Sequence, residues 1–175
     1  MIEKHIVKLC LKGNRKAQKL LYDSYAEKMF VHCYRYTKQK EDAEEIVSEG
    51  FVKVFLNLSN VEYRDAPSFE GWIKRIMINE CLMFLRKKER LVFDEMEMTT
   101  AEAPFNVEGI LEAEDIYSLI VALPIGYRTV FNLYAIEGFS HKEIAQQLGI
   151  KESTSRSQLA KGRRMLKILM ARTSL

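Results

Sequence analysis

The chain has 175 residues, 47% of them hydrophobic, and 27 Lys/Arg against 24 Asp/Glu, a net charge of +3. That length allows a real core in one compact domain or two small ones. The three cysteines, Cys10, Cys33 and Cys81, are odd in number, far apart and without a CxxC pair, which excludes a disulfide framework and a zinc site and fits small buried hydrophobes in a reducing cytosol. No run of about 18 apolar residues exists to cross a membrane. The opening MIEKHIVKLC lacks an apolar signal-peptide core, so a soluble, cytosolic protein is expected. Charge is distributed unevenly. Met96 to Leu123 holds six acidic residues and no basic one, whereas Pro124 to Leu175 holds nine Lys/Arg against three Asp/Glu, a net of +6. Such blocks point to segments with different partners, the basic one favouring phosphate.

With only eight Gly and three Pro and little alternation of period two, almost everything reads as helix. The expected fold class is all-α: two small helical domains joined by an acidic linker. A first helix runs from about Ile2 to Lys12 and stops near Gly13-Asn14. A second begins near Arg15, carries Ala17, Leu20, Leu21 and Tyr25, and continues through Met29, Phe30, Cys33 and Tyr34 to about Thr37. The third, Glu41 to about Leu58, has Val47, Phe51, Val54 and Leu58 in one stripe. Asp42, Glu45 and Glu49 form a carboxylate row on another face. Asn60 to Pro67 reads as a loop. Ser68 is expected to cap a long helix through Trp72, Ile73, Ile76, Met77 and Met83, closing in Arg86, Lys87, Lys88 and Arg90. Trp72 and Phe69 are read as core by their spacing. The stretch 92–115 reads as the linker, so the domains are placed at 1–91 and 116–175.

The last domain spells a helix-turn-helix. Ser140 and Glu143 make a capping box, Ile144, Ala145 and Leu148 form one apolar face, and Gly149 ends the helix at a positive φ. A second helix follows with Leu159, Met165, Leu166 and Leu169 behind. In front stand Ser153, Ser155, Arg156, Ser157, Gln158, Lys161, Arg163 and Arg164. Hydroxyls, an amide and arginines on one helix face suit the major groove of DNA.

Three motifs now stand in order, and together they resemble a bacterial RNA polymerase sigma factor of the extracytoplasmic-function (ECF) group. Asp42-Ala43-Glu44-Glu45-Ile46-Val47, with Glu49 and Phe51-Val52-Lys53-Val54-Phe55, looks like the family's core-polymerase-binding helix. Phe69-Glu70-Gly71-Trp72-Ile73-Lys74-Arg75-Ile76, with Asn79 and Arg86-Lys87-Lys88, looks like the helix that meets the promoter −10 element. Leu123-Pro124, Arg128, Phe131 and the helix-turn-helix look like the domain that reads the −35 element. Three residues depart from the pattern. Lys151 stands where a capping Ser or Pro is frequent, Ser155 replaces an apolar residue, and Gln158 replaces a common Arg.

The resemblance implies a transcription initiation factor rather than an enzyme, with no catalytic residues, metal or cofactor. Its partners would be core RNA polymerase, promoter DNA and an anti-sigma factor, in the cytoplasm and at the nucleoid. Asp42, Glu45 and Glu49 would meet the polymerase. Tyr63, Arg64, Asp65 and Ser68 would receive unpaired −10 bases, because bases stack on rings. Arg75, Asn79, Arg86, Lys87 and Lys88 would meet the phosphates beside them. In the recognition helix, Arg156 is the candidate for a guanine edge, Gln158 for adenine or phosphate, and Lys161, Arg163 and Arg164 for phosphates. The rival reading is a two-domain helix-turn-helix regulator that acts without polymerase. It leaves the carboxylate row and the helix from Trp72 to Asn79 without a role. A helical enzyme is disfavoured, since His5, His32 and His141 are scattered and no HExxH or nucleophile elbow is present.

Overall fold

A computed structural model describes residues 4–88 and 113–173. The chain divides between Lys87 and Lys88 into two compact units, and the elements of both are helical. The acidic linker over 92–112, and Arg90, lie outside the described residues.

The first unit contains α1 (Lys4–Leu11), α2 (Arg15–Thr37), α3 (Lys40–Asn57), a single 3₁₀ turn (Leu58–Asn60) and α4 (Ala66–Lys87). Gly13 takes φ +75 and ends α1, and the Asn14 side chain then accepts the Ala17 N–H to open α2. The two residues read together as a stop are therefore a stop followed by an N-cap. Helix α2 ends with Lys38 left-handed and its N–H on the Tyr34 carbonyl at 2.9 Å. Helices α2, α3 and α4 pack on one another around Leu21, Met29, Ile46, Val54, Ile73 and Met77, all fully buried. Gly50 permits a close approach of α3 to α4, for a Cβ there would lie 2.3 Å from the Met77 sulfur. The cap of α4 corrects the sequence reading. Asp65, not Ser68, supplies the side chain, its Oδ1 accepting the Ser68 N–H at 2.7 Å. Ala66 and Pro67 then fall in the first turn, where a proline loses no helical hydrogen bond.

The second unit contains α5 (Ala113–Ala122), α6 (Ile125–Phe131), a π turn (Asn132–Ile136), α7 (His141–Leu148) and α8 (Glu152–Thr173). Helix α5 begins at Ala113, so the last three residues assigned to the linker are helical. Leu119, Ile120 and Leu123 pack against Leu166 and Leu169 of α8. Arg128 is buried and donates to the Val121 and Leu123 carbonyls at 2.7 and 3.2 Å, satisfying the end of α5. Gly162 brings α8 against α6, since a Cβ would stand 3.3 Å from that of Tyr127.

Candidate nucleic-acid interface

The helix-turn-helix forms as its sequence dictates. Ser140 accepts the Glu143 N–H, Glu143 accepts the Ser140 N–H at 2.8 Å, and Gly149 closes α7 at φ +68. These bonds supply the orphan donors and acceptors at both helix ends, so α8 leaves a short turn in a fixed direction. Its outer face carries Ser153, Arg156, Arg163, Arg164 and Lys167, all exposed, with Ser157 and Lys161 half-buried beside them. Arg156 holds Glu152 one turn back in an exposed ion pair, which keeps its guanidinium over the start of the helix.

Two residues assigned to that face lie on the other. Ser155 and Gln158 are buried, at 0% and 2% exposure. They begin the same inward stripe as Leu159, Gly162, Leu166 and Leu169, and helical geometry outweighs their polar character. The Ser155 hydroxyl meets His141 Nδ1 at 2.9 Å. The His141 ring in turn stacks on Tyr134 with centroids 4.4 Å apart, and the Arg163 guanidinium lies over that same tyrosine ring at 5.6 Å. Partial burial and the nearby Arg156 charge lower the His141 pKa.

In the first unit, α4 turns a polar stripe outward. Ser68, Arg75, Asn79 and Arg86 recur at helical spacing and are exposed, as are Lys87, Lys88 and the apolar Met83. At its head, Phe69 is buried among Tyr25, Tyr63 and Trp72, with ring centroids 6.1, 5.4 and 5.5 Å away. Phe69 is core as its spacing implied. Trp72 is only half-buried and lies stacked on it, at the border between core and surface. The loop is thus anchored by the Tyr63 ring, while Arg64 and Asp65 point to solvent. Between α2 and the head of α4 runs a groove of about 680 Å³ lined by Tyr25, Lys28, His32, Glu70 and Lys74. No local pattern marks it, because its walls come from helices some 40 residues apart.

The carboxylate row divides. Glu45 and Glu49 are exposed, but Asp42 is buried at 7% in the first turn of α3. There a negative charge complements the helix dipole, so Asp42 belongs to the packing of α3 and not to the open face. The stripe that starts with Glu45 and Glu49 continues instead into Val52 and Leu56, which are 57% and 73% exposed. An acidic end of this stripe thus runs into exposed aliphatic side chains. Lys53 of the same helix is spent inside the unit, on Glu80 of α4 at 2.6 Å.

Comparison with known proteins agrees with this layout. Residues 21–91 match the family model "Sigma-70 region 2" and residues 113–166 match "Sigma-70, region 4". The chain is 31% identical to the ECF RNA polymerase sigma factor SigE of Mycolicibacterium smegmatis over 88% of its own length, and spans 62% of that protein. It is 29% identical to ECF sigma factor SigW of Bacillus subtilis, covering 95% of both chains. Among solved structures, CnrH in complex with the cytosolic domain of CnrY has a TM-score of 0.51 at 21% identity, covering 95% of both chains. The sigma factor RpoE of Bartonella quintana, solved with the anti-sigma factor NepR, has a TM-score of 0.52 at 21% identity, covering 87% of this chain and 96% of that one. Both show the same fold. Two sigma-70 regions in this order, each on its own helical unit, place the chain in the family of RNA polymerase sigma factors of the extracytoplasmic-function group.

Proposed function

We propose that this sigma factor directs core RNA polymerase to a set of promoters by holding the two promoter elements on two separate units. The outer face of α3, Glu45, Glu49, Val52 and Leu56, docks on the polymerase. The Tyr63-Arg64-Asp65 loop with Ser68 takes unpaired −10 bases, and Arg75, Asn79, Arg86, Lys87 and Lys88 hold the adjoining phosphates. Arg156 reads a base edge of the −35 element, helped by Ser153 and Ser157. Lys161, Arg163 and Arg164 bind its backbone. The observation that carries this reading is the exposed stripe of α4 beside an aromatic-anchored loop, in a chain that also bears a helix-turn-helix. A duplex-binding regulator needs only the second of these.

The chain performs no covalent step itself and works in the cytoplasm, at the nucleoid. The structural relatives solved with CnrY and NepR support a further partner of the anti-sigma type. The acidic stretch over 92–112 serves either as a tether or as a strand laid in a basic channel of the polymerase. Purified chain and core polymerase on promoter DNA test the proposal. Specific initiation is expected only when both are present, and Glu45→Lys with Glu49→Lys should weaken association with core while leaving helical content intact. Tight, specific duplex binding by the chain alone, with no programming of core, would favour the regulator instead.

A further inference from the structure

The inward stripe of α8 is apolar or glycine at 159, 162, 166 and 169, yet it opens with a fully buried hydroxyl at Ser155. A hydroxyl buried in a small core needs a partner, and this one reaches His141, the first residue of α7, at 2.9 Å. The contact joins the entrance of the first helix of the motif to the first turns of the second. His141 also lies flat against Tyr134 of the π turn, at 4.4 Å and an interplanar angle of 21°. Tyr134 carries Arg163 of α8 over its ring. The circuit therefore touches α8 twice, at 155 and at 163, positions about 12 Å apart along the axis at 1.5 Å per residue.

Two separated contacts constrain more than one. A helix held at a single point pivots, and a tilt of about 10° moves a side chain 12 Å away by roughly 2 Å, beyond the tolerance of a hydrogen bond. The angle of a recognition helix decides which base edges its side chains meet. The pairing of an unusually polar buried position with an imidazole poised above it has no role in burying apolar surface.

We propose that Tyr134, His141 and Ser155 form a latch that sets the angle of α8 on α7, and are positioning residues for −35 selectivity without themselves touching a base. The inference rests on the assignment of α8 to the −35 element. It is tested with full-length chain bound to core polymerase, on a library randomised at the −35 element above a fixed −10 element. His141→Phe keeps a ring against Tyr134 but loses the nitrogen, Ser155→Ala loses the hydroxyl, and His141→Asn puts an amide near the place of Nδ1. The first two should each compress the spread between preferred and average −35 sequences by roughly two- to tenfold, the range set by one hydrogen bond. Their double variant should be no worse than either single one, because both remove the same contact. His141→Asn should retain more selectivity than His141→Phe. The ¹⁵N resonance of His141 Nδ1 should shift in Ser155→Ala. Parent-like selectivity in both His141→Phe and Ser155→Ala, strictly additive losses, or a uniform loss on all sequences overturns the latch. If Ser155→Ala does not fold, the comparison of His141→Phe with His141→Asn decides by itself. A parent holoenzyme without any −35 preference overturns the assignment of α8, and is told apart by needing no variant.

Discussion

The two units solve the same problem, orienting helices, by different means. Among the described residues the first buries four polar side chains, Arg35, Thr37, Asp42 and Glu80, in a broad apolar bundle. The second buries five, Arg128, Thr129, Asn132, Ser155 and Gln158, among half as many apolar ones. In the first unit charges bridge helices, Lys53 to the buried Glu80 at 2.6 Å and, at the rim, Lys28 to Glu70 at 2.9 Å. In the second, directional bonds tie the helices, Arg128 to two carbonyls in the interior and the half-buried His141 to the buried Ser155. A large apolar core is tolerant of what its helices expose, since burial is non-directional. A small one has little area to spare and holds its helices by specific bonds instead. The unit we assign to reading base edges is the one built on directional bonds.

The widest test of this contrast is in the aromatic cluster. Phe69→Ala removes the ring around which Tyr25, Tyr63 and Trp72 are arranged, and should destabilise the first unit by about 3–5 kcal/mol. The chain has one tryptophan, Trp72, so its fluorescence in a urea titration follows that unit alone. A loss below about 1 kcal/mol would show that apolar burial is not what holds it.

Arg128→Leu comes next. The substitution keeps volume but frees the carbonyls of Val121 and Leu123, and about 2 kcal/mol of stability should go with those charge-assisted bonds. Buried charges replaced by apolar residues are sometimes neutral. A neutral result, read from the circular-dichroism transition of the full chain, would erase the distinction between the two units.

Both units were largely legible where one local rule acts alone. The capping box at Ser140 and Glu143, the left-handed Gly149 and the stripe from Val47 to Leu58 each depend on near neighbours in sequence, and each appears in the structure. What the sequence hid is where two rules compete. Ser155 and Gln158 are polar, which argued for the outer face, but they stand in register with Leu159, Leu166 and Leu169 and are carried inward. Charge groups Asp42 with Glu45 and Glu49, yet it shares a face with Ala43, Ile46 and Val47. Asp65 stands two residues before Pro67 and reads as loop, while its side chain opens α4. The π turn over Asn132–Ile136 has no composition cue, and without it Tyr134 would not be known to meet His141. Val52 and Leu56 are apolar, and no local pattern marks them as surface. Their exposure extends the charged row into an apolar strip.

A smaller effect is expected at the entrance of α7. Ser140→Ala removes the acceptor of the Glu143 N–H and should cost about 1 kcal/mol. Because α7 leads into α8, amide exchange at the head of α7 should accelerate while the first unit keeps its protection. Faster exchange in both units would mean that they do not unfold separately.

The smallest effect concerns pH and belongs to the first unit. His32 is partly buried beside the groove. Its Nδ1 accepts from the Arg35 guanidinium, and Lys28 and Lys74 stand near. Burial first, then the charges of Arg35, Lys74 and Lys28, lower its pKa to about 4, against about 6.5 in an unfolded chain. The folded state thus binds fewer protons between these values. Stability is full above pH 6.5 and falls as the pH drops towards 4, since protonation both buries a charge and removes the acceptor that Arg35 uses. Glu70 also lines the groove and is paired with Lys28. Part of the ring meets solvent, which screens the rest, so the loss should stay near 1 kcal/mol, well short of what full burial would give. His32→Gln cannot titrate and should flatten the curve between pH 6.5 and 4 while leaving the second unit's transition unmoved. An unchanged slope in that variant would assign the acid sensitivity to carboxylates instead.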